Sequence, residues 1–347
     1  MGMIKLPEKA IEKFTKNYPD IFQSGNLAEG RWNNDLAEWA KNYTSATFAL
    51  PVSSNGAGLC AILTILKRYR NYKTVFLQSN TMYGVMTIAN SSGLELCGYV
   101  NCSLDTLMPS YEDVNFFVNS LKNPSEAVFL LTHIGGWVNP DIHKIMSLCN
   151  SLGIAVVEDC AHSLGATLDE RHTGLFGVAG VYSLYATKAI PAGEGGIVVS
   201  NDIELGELIS KFSIYDRFDQ DIDIGVNIRM SELSALLSLS VLECIEDIIK
   251  DKMDIAYRYI HACDKVGIKY FHPERNGQRS NLYKFIVIGS SNYDLKKLSI
   301  RTSPVYDYSL GNDPYEITNN HICLPIWYKL EEEKIKAVIE EIDLIVS

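Results

Sequence analysis

The chain has 347 residues, 47% hydrophobic and 21% charged, enough for one large α/β domain with a smaller companion. That composition excludes disorder, a collagen-like repeat and a disulfide-stapled miniature scaffold. With 31 Lys and Arg against 42 Asp and Glu, the net charge is -11, which argues against a protein that grips nucleic acid or an anionic membrane but still permits one local positive pocket. The first nine residues hold no apolar stretch of signal-peptide length, and no run approaches the roughly 18 apolar residues that span a bilayer. The 8 cysteines are scattered without a Cys-x-x-Cys pair. They read as reduced, buried thiols of a cytoplasmic protein rather than as a zinc site.

In chain order, Asn33, Asn34 and Asp35 are candidates to cap a helix carrying Leu36, Trp39, Ala40 and Tyr43 at helical spacing. A strand over about residues 47–53 leads through a Gly-containing turn to a helix with Leu59, Ile62, Leu63 and Leu66 on one face. Short apolar runs follow at 74–77, 94–100, 127–131, 154–157, 181–184 and 196–199. They are mostly uninterrupted, as strands covered on both faces are. A helix from near Pro140 carries Ile142, Ile145, Met146 and Cys149 in register. This βαβ rhythm predicts a mostly parallel sheet flanked by helices. Residues 216–221 read as an exposed loop. A long helix is expected from Ser231 towards His261, then a strand over 282–288 and a last helix with Ile335, Val338, Ile339 and Ile342. The expected division is a large domain over 1–235 and a small α+β domain over 236–347.

Three segments carry chemistry. Lys188 closes a polar stretch after a buried strand and precedes Gly193, Gly195 and Gly196, where backbone and ligand can approach closely. A partly desolvated lysine there can lose its proton and form a Schiff base. Asp159, with Glu158 and His162, lies at the carboxyl end of a buried strand, the edge at which open α/β sheets collect ligands. A carboxylate there can face a cationic ring nitrogen, or merely cap the following turn. Val52-Ser53-Ser54-Asn55-Gly56-Ala57-Gly58 joins a strand to a helix, and N–H groups at a helix start bind phosphate. This turn matches neither the Gly-x-x-x-x-Gly-Lys-Ser/Thr nor the Gly-x-Gly-x-x-Gly pattern. A phosphate cradle, a carboxylate for a ring nitrogen and a lysine for an aldehyde are the three handles of pyridoxal 5′-phosphate (PLP).

Read together, these motifs resemble the DegT–DnrJ–StrS sugar aminotransferases of the aspartate aminotransferase superfamily, fold type I, over nearly the whole chain. The residues that carry the resemblance are Ser24-Gly25…Gly30, Ser54-Asn55-Gly56-Ala57, the segment from Val157 to Ala166, Gly174-Leu175-Phe176-Gly177 leading to Tyr182-Ser183 and Lys188, Gly225-Val226-Asn227-Ile228-Arg229-Met230-Ser231-Glu232, and Cys323-Leu324-Pro325-Ile326. The resemblance implies that Lys188 holds PLP covalently, that Asp159 pairs with its ring nitrogen and that His162 lies near the ring. It also implies that Ser183 and the Gly56 and Ala57 amides bind the phosphate. Asn227 would reach the phosphate from the partner of a homodimer with shared sites, and Arg229 would lie at the same shared site near the substrate. Met82 or Tyr83 would pack on the ring. Relatives typically move an amino group from glutamate to a nucleotide-linked keto-sugar.

The sequence departs from the pattern at Ala57, where threonine is usual, at Cys160 and Val178, and in a short segment between Arg301 and His321. A sugar dehydratase on the same scaffold has histidine at the lysine position, and Lys188 argues against it. A non-catalytic PLP-binding regulator is the remaining alternative. A nicotinamide oxidoreductase lacks its glycine fingerprint here.

Overall fold

The computed structural model describes residues 4–289 and 295–345. Helices α1 (Glu8–Ser24) and α2 (Arg31–Thr44) precede strand β1 (Phe48–Val52). Alternation then runs through α3 (Asn55–Tyr69), β2 (Thr74–Gln78), α4 (Tyr83–Ser91), β3 (Glu95–Val100), α5 (Tyr111–Val118), β4 (Ala127–Thr132), α6 (Ile142–Leu152) and β5 (Ala155–Cys160). Two-residue strands β6 (Thr167–Leu168) and β7 (Arg171–His172) lead to β8 (Ala179–Ser183), β9 (Gly196–Ser200) and α7 (Ile203–Ser213). The last third holds α8 (Glu232–Leu242), α9 (Ile245–Val266), β10 (Lys269–Tyr270), β11 (Gln278–Arg279), β12 (Phe285–Ile288), β13 (His321–Leu324) and α10 (Glu332–Leu344).

Seven strands form the main sheet in the order β1-β9-β8-β5-β4-β2-β3. The pairs β2/β3, β2/β4, β4/β5 and β5/β8 are parallel, and β9 runs antiparallel to both β8 and β1. The mostly parallel sheet predicted from the uninterrupted apolar runs is therefore present, with one reversed strand. Strands β4, β5, β8 and β9 are buried at every position because helices cover both faces. A second, three-stranded sheet β10-β12-β13 is antiparallel. Helix α9 joins the two regions: Ile245, Ile248 and Ile249 pack with the α2 and α8 core, whereas Met253 to Cys263 pack with β12, β13 and α10. No helix among the described residues is long and apolar enough to cross a membrane.

Several elements differ from expectation. Helix α1 has no counterpart in the sequence reading: only Ala10 and Ile21 of its 17 residues are buried and Pro19 lies inside it, so the core-facing pattern is weak. The expected long helix from Ser231 divides into α8 and α9, because α8 is buried nearly all round while α9 is exposed along one face. The strand expected at 282–288 begins at Phe285, because Leu282 takes a left-handed backbone (φ 52) in a loop tied to Gly135 and Gly136. Cysteines 60 and 97 are half-buried and exposed respectively, whereas the other six thiols are buried as expected.

Asn33 does not cap α2. That helix begins after Gly30, and a distant carboxylate satisfies its first turn. Glu232, 2% exposed, accepts from the Gly30, Trp32 and Asn33 N–H groups at 3.1, 2.8 and 3.1 Å and from Asn33 Nδ2 at 2.6 Å. Negative charge at a helix N-terminus is favourable, and here it meets otherwise orphaned donors. A Cβ at Gly30 would lie 2.7 Å from Glu232 Oε2, so only glycine fits. Glu232→Ala leaves those donors unpaired, that of Trp32 buried and the others half-buried, and is expected to destabilise the fold by about 2 kcal/mol. Urea unfolding measures this, and an unchanged midpoint contradicts the latch.

Candidate active site

The site forms where the carboxyl ends of β1, β5 and β8 meet the loops that follow. In β5, consecutive side chains point to opposite faces of the sheet, and two adjacent buried acids therefore find different partners. Glu158 accepts from His133 Nε2 at 2.8 Å, Gly174 N at 2.7 Å and Gly177 N at 2.6 Å. His133 Nδ1 in turn accepts from Asn139 N at 3.1 Å, which fixes its proton on Nε2. Asp159 points the other way. Its Oδ1 accepts from Asn55 Nδ2 and from Ala161 N, both at 3.1 Å, and its Oδ2 lies 3.4 Å from the Thr132 hydroxyl. Burial pushes the Asp159 carboxyl above the usual carboxylate range, opposed by the Ala161 N–H and by Lys188.

Asn55 was quoted within the turn motif but given no task by the sequence. It also donates to Val181 O at 2.7 Å, so one amide binds the β1–α3 turn to both β5 and β8. Ser54 caps α3 by accepting the Ala57 N–H at 3.1 Å. That amide, expected on the phosphate, already has a partner, whereas the Gly56 N–H in the same first turn has no intrahelical acceptor. A Cβ at Gly196 of β9 would sit 2.7 Å from Asn55 N, so the turn approaches the sheet only because glycine stands there. Ser183, at the end of β8, accepts from Tyr185 N at 3.3 Å and keeps its hydroxyl proton for another acceptor.

The turn after β8 is closed by bonds from Leu184 N to Gly195 O and from Ala186 N to Gly193 O, at 2.9 and 2.8 Å. Lys188 lies in that turn, its N–H donating to Tyr185 O at 2.9 Å and its Nζ 5.3 Å from the centre of the Tyr283 ring. Burial pulls its ammonium below the usual lysine range, and Asp159 partly restores it. Tyr283 is delivered by the loop before β12. Asn281 donates to His162 O and Leu164 O at 2.9 and 2.8 Å, and Lys284 N donates to Gly135 O at 3.0 Å. A Cβ at Gly136 would lie 2.9 Å from Tyr283 N, so this crossing also depends on glycine.

His162 is stacked on Tyr283 at 4.4 Å, with Tyr306 on a further near-parallel ring at 5.8 Å. Its Nδ1 accepts from Gly135 N and its Nε2 lies 3.4 Å from the Tyr306 hydroxyl. Burial, with Lys188 and Lys284 nearby, holds it well below the usual histidine range, so it is neutral at pH 7. Tyr283 and Tyr306 were invisible to motif reading, since tyrosines more than 100 positions away carry no local signal.

Met82 caps α4 and is 42% exposed, and Tyr83 is 58% exposed. The Tyr83 N–H donates to the Tyr308 hydroxyl at 2.7 Å. Among the described residues neither side chain makes a hydrogen bond to Asp159 or Lys188. Asn227 is exposed and accepts Arg229 N at 3.2 Å. The segment runs beside β1, with Ser53 N donating to Ile228 O at 2.7 Å. Arg229 Nη1 is buried without a hydrogen-bond partner, 3.8 Å from Glu29.

These residues fit PLP. The decisive observation is Asp159, a buried carboxylate raised by burial that has no cation within hydrogen-bond reach among the described residues. A cationic ring nitrogen supplies what it lacks. The lowered Lys188 amine suits attack on an aldehyde, and the Gly56 N–H and Ser183 hydroxyl are donors with capacity for phosphate.

A model of the DegT/DnrJ/EryC1/StrS aminotransferase family matches residues 8–343. GDP-perosamine synthase of Vibrio cholerae is 25% identical over 97% of this chain and 97% of its own length. A DegT/DnrJ/EryC1/StrS aminotransferase from Brucella abortus superposes with a TM-score of 0.85 at 19% identity, covering 99% of this chain and 98% of that one. The PLP form of Spr1654 from Streptococcus pneumoniae gives 0.82 at 17% identity, covering 99% and 97%. The chain belongs to the DegT/DnrJ/EryC1/StrS aminotransferase family of PLP-dependent transaminases.

Proposed function

We propose that this aminotransferase moves an amino group from L-glutamate onto a keto-sugar carried by a nucleotide, in a homodimer whose sites are shared between chains. The full-length similarity to GDP-perosamine synthase supports the nucleotide-linked sugar. Arg229 Nη1, without a hydrogen-bond partner and 3.8 Å from Glu29, with Asn227 exposed beside it, supports a task at a second chain's site.

When bound, PLP supplies an electron sink that lets a proton leave the carbon bearing nitrogen. Asp159 would keep a negative charge opposite the ring nitrogen, and Asn55, Ala161 N and Thr132 fix the direction of that carboxylate. Lys188 would hold the aldehyde end. Its Nζ, whose proton affinity burial lowers, would accept and return the proton. Ser183 and the Gly56 N–H would donate to the phosphate. Neutral His162 fills space between Tyr283 and Tyr306 and holds the loop after β5 against the loop before β12.

Lys188→Ala is expected to abolish the yellow colour of the PLP-loaded protein and to lower turnover by ~10²–10⁴-fold. Absorbance and a coupled 2-oxoglutarate assay read both, and full turnover would remove Lys188 from the proton transfer. A panel of keto-sugars with and without a nucleotide, each with L-glutamate, tests the acceptor. Equal turnover of the free sugars contradicts the nucleotide. If the sites are shared, mixing Lys188→Ala with Arg229→Ala chains recovers roughly a quarter of wild-type activity, because half the dimers are hybrids with one intact site. No recovery places Arg229 at its own chain's site.

A further inference from the structure

A cavity of about 550 Å³ opens beside Lys188, between the turn after β8, helix α9 and the segments that flank β13. Its size falls in the range of small-molecule sites, ~300–1,000 Å³. Six basic side chains line it, Lys5, Lys188, Lys252, Lys284, Arg301 and Lys334, and none of its lining residues is acidic. On a chain with net charge -11 this is a strongly biased patch. Lys5 is neutralised by Glu331 at 2.8 Å. Among the described residues, Lys284 reaches the Ser303 carbonyl, at 3.2 Å, and the Tyr283 ring. Lys334 lies 4.8 Å over the Trp327 ring.

Lys252 is the unusual member. It is 2% exposed, lines the cavity from α9, and has neither a hydrogen bond nor an ion pair among the described residues. Its neighbour Asp251 is engaged by Lys329 at 3.0 Å. Burial pushes the Lys252 ammonium down to about 7, as expected of a charge without a counter-ion. The same cavity is lined by Trp327, whose Nε1 is a buried donor with no acceptor. A buried lysine without a protein counter-ion and an unsatisfied indole donor on one positively lined cavity ask for the same kind of ligand.

We propose that this cavity anchors a multiply charged oxyanion of the substrate, with Lys252 as its buried anchor and Arg301 and Lys334 at its rim. The inference rests on the reading that Lys188 transfers nitrogen between anionic substrates. Two substrates of that reaction carry such groups, the diphosphate of a nucleotide-linked sugar and the two carboxylates of glutamate. Either would replace, inside the cavity, the counter-ion that Lys252 lacks. A lysine that merely packs its stem between the two cores would show no such dependence.

Titration calorimetry on the PLP-loaded protein with GDP, inorganic pyrophosphate and L-glutamate tests this. Lys252→Met is expected to weaken at least one probe by about tenfold or more, and Lys252→Arg to retain most of the affinity. Loss confined to GDP and pyrophosphate assigns the cavity to the diphosphate, and loss confined to glutamate assigns it to the donor. Unchanged affinities for all three, or no binding to the wild-type protein, overturn the proposal. If Lys252→Met does not fold, the exposed pair Arg301→Glu with Lys334→Glu decides by the same criterion. The same titrations on Lys188→Ala separate this site from the catalytic reading. Lys252-dependent binding in a wild-type protein that transaminates none of the keto-sugars would refute the proposed function and leave the anion site standing.

Discussion

Two consecutive carboxylates lie buried at the end of β5, and much of the surrounding architecture exists to make that tolerable. A buried acid without partners costs several kcal/mol. Glu158 is fully provided for by a neutral His133 and two backbone N–H groups, which also pins the 174–177 loop under the sheet. Asp159 has a poorer set, two amide donors at 3.1 Å and a hydroxyl at 3.4 Å, and no cation at hydrogen-bonding distance among the described residues. The asymmetry separates a structural acid from one kept ready for a ligand, and the pleat of one strand is enough to produce it.

Ala161 N reaches Asp159 locally and Thr132 from the neighbouring strand, but two further residues of the site arrive from distant parts of the chain through close backbone approaches. Asn55 comes from the β1–α3 turn, which Gly196 allows to press against β9. Tyr283 comes from a loop that crosses Gly136. The first crossing lies within the main sheet, the second joins it to the loop before β12, and α9 contributes to the cores of both regions. Lys252 and Lys188 line one cavity, and burial there lowers the proton affinity of both.

The sequence made the sheet legible because strands covered on both faces are continuously apolar, and β4, β5, β8 and β9 follow that rule. The three chemical segments were legible because each places a reactive residue beside glycine or at a strand end. Asn55 as the partner of Asp159 was not, since 104 positions separate them and an amide in a turn has many uses. Tyr283 and Tyr306 were hidden for the same reason. Helix α1 was hidden by its shallow burial, and the break between α8 and α9 because no glycine or proline marks Glu243 and Cys244. The capping of α2 went to Glu232 rather than to Asn33 because a carboxylate brought by the fold outcompetes a short local side chain.

The most direct measurement is the protonation of the ring nitrogen in protein loaded with ¹⁵N-labelled PLP, followed by NMR from pH 6 to 9. If Asp159 is the carboxylate that this pocket reserves for a cation, the nitrogen stays protonated across that range and loses its proton in Asp159→Asn. A nitrogen that is unprotonated in the wild-type protein, or protonated to the same extent in Asp159→Asn, contradicts the account.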